Sequence, residues 1–409
     1  MSVPAFASTS LHEPADVAAL RAIVREAHAT QTPLRIRGAG EWMDAGRPVH
    51  AHQQLSTRAL SQVLEYVPDD LVITVGAGMT LRELSAITAA HDQWLALDPW
   101  GSNEDGDGGT IGATIATASH GPLSLGYGRA RDLVLGIGFV TGDGTPVQAG
   151  GRVVKNVAGF DLVRMSTGAW GTLGVLTSMS LRLHARPADD ATWVVPLESA
   201  ASTVLSSLVS RLNCAPLLPY TATLSACLLL THEAARTVGA ASGHADAPAV
   251  LLARGTGNHA AVAAQEEALA TVGPVTRVPS AMWRTVRGLD ADRAVVRQTQ
   301  APLQTAATME ALHRWCVAQG ASDIQLLGDP LRGTVRCSAT LPAHPTTPAS
   351  TPLPPGVIAE RLPMAWWDHV PSAVGDPISQ RLQQRFDPAG VLNPGILGRT
   401  ASSTSAGAR

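Results

Sequence analysis

Three glycine clusters carry the chemical signal in this sequence. The first is RGAG, at Arg37, Gly38, Ala39 and Gly40. The second runs GDGGTIGATIATASHGPLSLGYG and contains Gly108, Gly109, Thr110 and Gly112. The third is GAWGTLGVL, in which Gly168, Gly171 and Gly174 recur every third residue. Glycine weakens a strand, so it marks a bulge or a place where something flat or charged meets the backbone. Glycine-rich loops also leave backbone N–H groups uncovered, and several can converge on a phosphate oxygen. Small residues continue through Ala113, Thr114, Ala116, Thr117, Ala118 and Ser119, which lets a large planar ligand approach the backbone. Three such clusters separated by predicted strands read as a nucleotide-cofactor site. Each alone also has a plainer reading, as a turn or a tightly packed small-residue helix. No GxxxxGK[ST] string occurs, which excludes a P-loop.

Other candidates are weighed in the same way. Gly76-Ala77-Gly78 follows a predicted strand and opens a predicted helix, as a dinucleotide fingerprint does, with Asp98 downstream. Its third glycine position is Leu81, however, and no βαβαβ series follows, so a strand-to-helix turn is the better reading. His120 lies inside the second glycine run and is a candidate for the cofactor site. His50 and His52 alternate, as on one face of a strand, without a third ligand. His232-Glu233 lacks the second His of a zincin, and no metal site is expected. Lys155 is read either as a solvated loop charge or as a partner for an anion. Asp161 is read as a cap or turn residue rather than a base. Arg129, Arg131 and Arg164 can serve a carboxylate, but each has a structural reading and no base is evident, so no catalytic residue is assigned.

These residues need elements to hold them. Residues 14–30 carry apolar positions at helical spacing, and PLRIRGAGE is a short strand running into a glycine turn. In DLVITVGAGMTLRELSAITAAHD, LVITV is a strand and TLRELSAITAA a helix with Thr80 as its N-cap. WLALDP is a further strand, and 101–112 a polar glycine-rich loop. RDLVLGIGFVTGDGTPVQAG is a hairpin turning at Asp143-Gly144, and VLTSMSLRL an alternating strand. Beyond Pro187 strand-like and helical segments mix. Residues 342–356 form a Pro/Thr-rich loop. RLQQRFDPAGVLNPGILG is a helix ending at a Pro/Gly turn, and 400–409 are expected as a disordered tail.

The 409 residues are 45% hydrophobic with a net charge of -3, an ordinary globular composition with no basic stripe, so no nucleic-acid partner is expected. Cys214, Cys227, Cys316 and Cys337 form no CxxC pair, which argues against an iron–sulfur cluster in this chain and suits a reducing compartment. The first residues lack a basic region followed by an apolar core, so no signal peptide is expected, nor a bilayer-spanning run.

The succession RGAG, GGTIGATIATASHGPLSLGYG, RDLVLGIGFVTGDG and GTLGVLTSMSLRL resembles the FAD-binding domain of the vanillyl-alcohol-oxidase-like, PCMH-type flavoproteins, and FDPAGVLNPG resembles their closing motif. GRVVKNVAGFDLVRMSTGAWGTLGVL is especially similar to the FAD-binding E subunit of bacterial glycolate oxidase. The likeness covers about residues 15–187 and 360–398. It implies an α+β fold: a PCMH-type FAD-binding domain of two α/β subdomains at 1–187, a smaller α+β cap domain for partner binding at 188–385, and a segment at 386–399 returning to the flavin. It implies that Arg37, Gly38, Ala39 and Gly40 lie by the FAD pyrophosphate and that Gly108, Gly109, Thr110 and Gly112 add N–H donors. Ala118, Ser119, His120 and Gly121 run beside pyrophosphate and flavin; Gly171, Thr172, Gly174 and Val175 line the adenosine half; Asn393 returns toward the flavin. The implied activity is oxidation of glycolate, a 2-hydroxy acid, to glyoxylate, with electrons passed through FAD to an iron–sulfur F-type subunit beside a D-type FAD subunit. The implied location is cytoplasmic, peripheral at the inner face of the plasma membrane through partners. The alternatives are a self-sufficient FAD-dependent 2-hydroxy-acid dehydrogenase and a non-catalytic flavin-binding subunit. The first loop carries no Gly-His, so covalent flavin attachment is not expected there, and the Gly-Glu-His-Gly string of the D subunit and D-lactate dehydrogenases is absent.

Overall fold

Apolar residues recurring at Leu20, Val24 and Ala27 make helix Val17–Thr30 one-sided, and Asp16 caps it by accepting the Ala19 N–H at 2.8 Å. That face packs on Leu34 and Leu55 of two parallel strands, Leu34–Arg37 and Gln53–Ser56. Strand Ser10–His12 completes this three-stranded parallel sheet. The computed structural model describes residues 10–101, 108–151, 160–345 and 353–398. Lys155, the expected tail at 400–409, and parts of the 101–112 and 342–356 loops lie outside them.

A second sheet is antiparallel and five-stranded, in the order Val63–Val67, Val72–Gly76, Val175–Arg182, Val134–Val140, Pro146–Gly150. Strand Val175–Arg182 is central, and Met179 and Leu181 are buried while Ser178 and Ser180 are half-buried, the alternation of a pleated strand. Helix Leu81–Ala89 starts with a full capping box: the Thr80 hydroxyl accepts the Glu83 N–H, and Glu83 accepts the Thr80 N–H. Together with helix Ile111–Thr117 it covers this sheet through Leu84, Ile111 and Ile115 against Ile73, Val75, Ile137, Phe139, Met179 and Leu181. The hairpin turns at Asp143-Gly144, where Gly144 has φ +81. WLALDP departs from expectation: pairing is confined to Gln93–Trp94, against His184–Ala185. His50 and His52 precede strand Gln53–Ser56 instead of lying on it.

Two compact units result, one of residues 1–120, 129–186 and 371–409, the other of 121–128 and 187–370. The unit boundary at 186/187 falls next to the sequence boundary of 187/188, whereas that at 370/371 comes well before 385/386, so helix Pro377–Phe386 belongs with the first unit. The chain returns there through FDPAGVLNPG, whose shape Asp387 fixes: buried, it accepts the Val391 and Leu392 N–H groups at 3.1 and 2.8 Å. Leu392 then bridges Leu34, with Leu34 N donating to Val391 O at 2.8 Å.

The second unit is built on an eight-stranded antiparallel sheet, ordered Thr276–Val278, Asp189–Leu197, Ala249–Gly257, Ala226–Thr231, Ser322–Asp329, Thr334–Thr340, Ala294–Thr299, Ile358–Arg361. Helices Ser202–Leu212, His259–Ala270 and Thr305–Ala318 press Leu205, Val209, Leu212, Val262, Leu269, Met309 and Leu312 onto Trp193, Leu229, Leu251 and Val335. A buried ion cluster crosses three elements. Arg336 Nε meets Asp290 Oδ2 at 2.6 Å, Arg336 Nη1 meets Glu360 Oε2 at 2.8 Å, and Arg297 Nε meets Glu360 Oε1 at 2.6 Å. Burial opposes ionisation of Glu360, but the two guanidinium groups overcome it and hold its carboxyl at about 2. Cys316 and Cys337, distant in sequence, are buried with their sulfurs 3.4 Å apart. Among the described residues no group of three or more His, Cys, Asp or Glu side chains is placed to hold a metal, and no helix is long and apolar enough to cross a membrane.

Candidate functional site

Strand Leu34–Arg37 ends in the RGAG loop, and the loop opens a cleft in the first unit. The cleft is open to solvent, with about 590 Å³ of empty space when its mouth is included. Arg37 builds the loop's shape. Its guanidinium folds back, donating from Nη2 to the Ala39 carbonyl at 2.7 Å and from Nη1 to Gln54 Oε1 at 3.2 Å. Gly40 is needed at φ +113, where an added Cβ would lie 2.4 Å from that Nη2. The N–H groups of Ala39, Gly40 and Glu41 donate to no acceptor among the described residues. A turn presenting successive free N–H groups is a binding concavity for an anion.

Opposite the loop stand Gly112, Ala113, Ala116 and Thr117 of helix Ile111–Thr117, and then Trp170, Gly171, Gly174 and Leu176. The wall is apolar and small, with two indoles: Trp42 and Trp170 meet edge to face with centroids 6.1 Å apart. Arg35 lies in the floor, its Nη2 donating to Trp42 O at 3.2 Å; burial lowers its pKa to about 10, against the pull of Asp44.

Asn393 stitches the cleft together. Buried and left-handed at φ 44, it accepts the Ile36 N–H on Oδ1 at 2.8 Å, donates from Nδ2 to Trp170 O at 2.7 Å, and donates its own N–H to Leu34 O at 2.9 Å. Its amide is thus spent on protein backbone, and it ties together two wall segments, strand Leu34–Arg37 and the turn at Trp170.

Of the residues singled out in the sequence, Arg37, Gly38, Gly40, Gly112, Gly171, Gly174 and Asn393 line one cleft. Ala39 and Gly109 flank it: Gly109 has φ +78, and an added Cβ would lie 2.8 Å from Glu41 Oε1. Gly108 has φ +73 and its Cβ position faces Leu81. The N–H groups of Thr110 and Gly112 are occupied by the protein, by Glu41 Oε1 at 2.7 Å and Ala77 O at 2.9 Å, so they are not spare donors for a phosphate. Ala118 ends the helix in a left-handed conformation at φ 52, and His120 Nδ1 lies 2.9 Å from its carbonyl. Neither they nor Ser119 lines the cleft, and Gly121 belongs to the second unit. Thr172 turns its hydroxyl onto Ala169 O at 2.7 Å, and Val175 packs in the core with Leu20 and Val24.

The glycines of the third cluster are cleared for protein as much as for ligand. A Cβ at Gly174 would lie 2.5 Å from Phe139, and one at Gly171 2.9 Å from Asn393 Nδ2. Gly76 and Gly78 are likewise packing glycines, whose Cβ positions fall 2.2 Å from Leu60 O and 2.1 Å from Thr57 O. Asp161 caps helix Leu162–Ser166, accepting the Arg164 N–H at 3.0 Å and meeting Arg164 Nε at 3.3 Å, and Arg131 meets Asp132 at 3.7 Å. Sequence reasoning missed Arg35, Glu41, Trp42 and Trp170. The signal for Arg35 was its place two residues before Arg37 on one strand, and that for Glu41 and Trp42 their adjacency to the first loop.

The chain is similar to known proteins over part of its sequence and in its fold. Residues 10–150 match a family model described as FAD binding domain. The chain is similar to glycolate oxidase subunit GlcE of Escherichia coli (strain K12), 38% identical over 164 residues, or 40% of this chain and 46% of that protein. It is also similar to a D-lactate dehydrogenase of Archaeoglobus fulgidus, 32% identical over 185 residues, or 45% of this chain and 40% of the other. The chain thus spans less than half the length of these curated relatives. Among solved structures it resembles p-cresol methylhydroxylase with substrate bound, at a TM-score of 0.70 and 16% identity over 96% of this chain and 89% of that one. FAD fits the cleft described: free N–H groups at Ala39–Glu41 suit its diphosphate, and the small apolar walls and indoles suit its flat rings. Residues 10–150 match an FAD-binding domain, and the chain has the α+β fold of p-cresol methylhydroxylase.

Proposed function

We propose that this chain is the E-type, FAD-binding subunit of a glycolate-oxidase complex. In it the chain serves oxidation of a 2-hydroxy acid to the 2-oxo acid beside a D-type FAD subunit, with electrons leaving to an iron–sulfur partner. The observation that carries this reading is the donor loop Ala39–Glu41 at a cleft lined by Trp42 and Trp170, in a chain 38% identical over 164 residues to a glycolate oxidase subunit. When bound, FAD supplies the hydride-accepting chemistry. The chain's part is positional. Ala39, Gly40 and Glu41 N–H groups bind the diphosphate, Arg37 holds that loop in shape, and Asn393 fixes the spacing of the walls. Attachment is non-covalent on this reading, since no His, Cys or Tyr lines the described part of the cleft. Its location is cytoplasmic, peripheral to the membrane through partners.

Oxidising a 2-hydroxy acid needs a base for the hydroxyl proton and a cation for the carboxylate. The described cleft lining offers Arg35 and Arg37 as cations, both engaged with backbone oxygens, and no histidine base. This favours electron traffic shared with a partner over self-sufficient turnover. The test is anaerobic addition of glycolate to the purified flavin-loaded chain, with and without co-expressed partner subunits. Bleaching of the flavin band only when partners are present is expected. Bleaching in the isolated chain overturns the shared reading in favour of a self-sufficient 2-hydroxy-acid dehydrogenase.

A further inference from the structure

Glu41 is the single acidic side chain among the described residues lining the cleft. One carboxylate oxygen is accounted for: Oε1 accepts the Thr110 N–H at 2.7 Å, with the Thr110 hydroxyl at 3.5 Å. The other, Oε2, is buried and has no hydrogen-bond partner. A carboxylate oxygen cut off from water without a donor is costly, and natural structures rarely keep one without a reason. The arginine beside it does not answer the need. Arg37 gives its two terminal nitrogens to Ala39 O and Gln54 Oε1, and its own buried Nε lacks an acceptor. The position is also held in place, because Gly109 at φ +78 is the only kind of residue that leaves room for Oε1.

Within three residues, therefore, the loop presents opposite polarities. The N–H groups of Ala39, Gly40 and Glu41 ask for an anion, and Glu41 Oε2, an acceptor only, asks for a neutral donor. A phosphate oxygen against Oε2 would set two anions together in a place of low dielectric. A hydroxyl there satisfies both sides. FAD carries such a pairing, a diphosphate flanked on each side by polyol hydroxyls. We infer that Glu41 Oε2 accepts a hydrogen bond from a hydroxyl of FAD next to its diphosphate, and that its charge sets the register of the diphosphate along the Ala39–Glu41 N–H groups. This rests on the FAD reading of the cleft and adds to it a residue that chooses position.

The test is titration of flavin-stripped protein with FAD, followed by flavin fluorescence, for wild type, E41Q and E41A. In E41Q the amide oxygen can still take the Thr110 N–H, but a donor replaces the acceptor at Oε2. FAD affinity is expected to fall at least ~tenfold in both variants, the usual scale for one buried hydrogen bond to a charged group. The urea midpoint of the flavin-stripped protein serves as the folding control, and E41A covers the case in which E41Q alone misfolds. Competition by ADP locates the donor: a parallel loss of ADP affinity assigns it to the adenosine ribose, an unchanged ADP affinity to the ribityl chain. Wild-type protein that binds FAD, with E41Q binding it equally or more tightly, overturns the role of Glu41 alone. Wild-type protein that binds no FAD overturns the cofactor reading beneath it.

Discussion

Asn393→Ala tests the construction of the cleft most directly. The substitution removes an acceptor from the Ile36 N–H and a donor from the Trp170 carbonyl, at 2.8 and 2.7 Å, where Asn393 itself is 3% exposed. Each orphaned backbone group costs ~1–3 kcal/mol. The left-handed backbone at φ 44 adds ~1 kcal/mol, because alanine tolerates it less well than asparagine. The sum is a loss of about 3–7 kcal/mol, a large share of the ~5–15 kcal/mol that holds a typical domain. Urea unfolding of the flavin-loaded protein, followed by flavin release, should show the midpoint falling accordingly. Asn393→Gly relieves the backbone part and should recover ~1 kcal/mol of it. Because the stitched segments carry Ile36, Trp170 and Gly171 of the cleft wall, FAD affinity should drop with stability. An Asn393→Ala protein within ~0.5 kcal/mol of wild type, with unchanged FAD affinity, would refute the stitching argument.

Further outcomes follow from other sites. Gly109→Ala should cost ~1–2 kcal/mol from the left-handed backbone alone, and should weaken FAD binding by displacing Glu41, readable in the same titration. Gly174→Ala overpacks against Phe139 at 2.5 Å and should cost ~1–3 kcal/mol in urea unfolding. Glu360 is an acid with its folded pKa depressed from 4.5 to about 2, so its stabilisation is complete above the unfolded value and is lost as pH falls from there through about 2. At 1.36 kcal/mol per pH unit that loss is about 3 kcal/mol, and a Glu360→Gln protein should lack this part of the acid slope in melts at pH 5, 4 and 3. Asp290→Ala removes one of the two carboxylates paired with buried Arg336, leaving Glu360, and should destabilise by ~1–3 kcal/mol in the same assay.

The sequence made some of this legible and concealed the rest for physical reasons. Local rules were sufficient for helix Val17–Thr30, for the capping box at Thr80 and for the Asp143-Gly144 hairpin, since each is encoded within a few residues. The first loop was visible because positive φ at Gly40 restricts the residue type. Glycine clusters were less specific. Gly76, Gly78 and Gly174 admit neighbouring protein atoms, and a glycine cleared for a ligand reads the same in sequence as one cleared for a carbonyl or a phenyl ring. WLALDP has strand-like composition, but only Gln93–Trp94 find a partner. Val175 and Thr172 were grouped with Gly171 and Gly174 by adjacency, whereas the alternation of the strand turns Val175 into the core. Glu41 and Trp42 stand directly after the first loop, whereas Trp170 entered the site through long-range packing that no local pattern records.

The stitch at Asn393 has a consequence for the order of events in the cell. The segment that matches an FAD-binding domain is finished by residue 150, yet the wall spacing of the cleft depends on a residue some 240 positions later. A ribosome emits the chain from its N-terminal end, so the nascent first unit lacks its last brace through the whole synthesis of the second. High-affinity loading of the cofactor is therefore tied to the emergence of residue 393. A ribosome-arrested chain ending before residue 390 should be protease-sensitive and should fail to retain FAD that the released protein keeps.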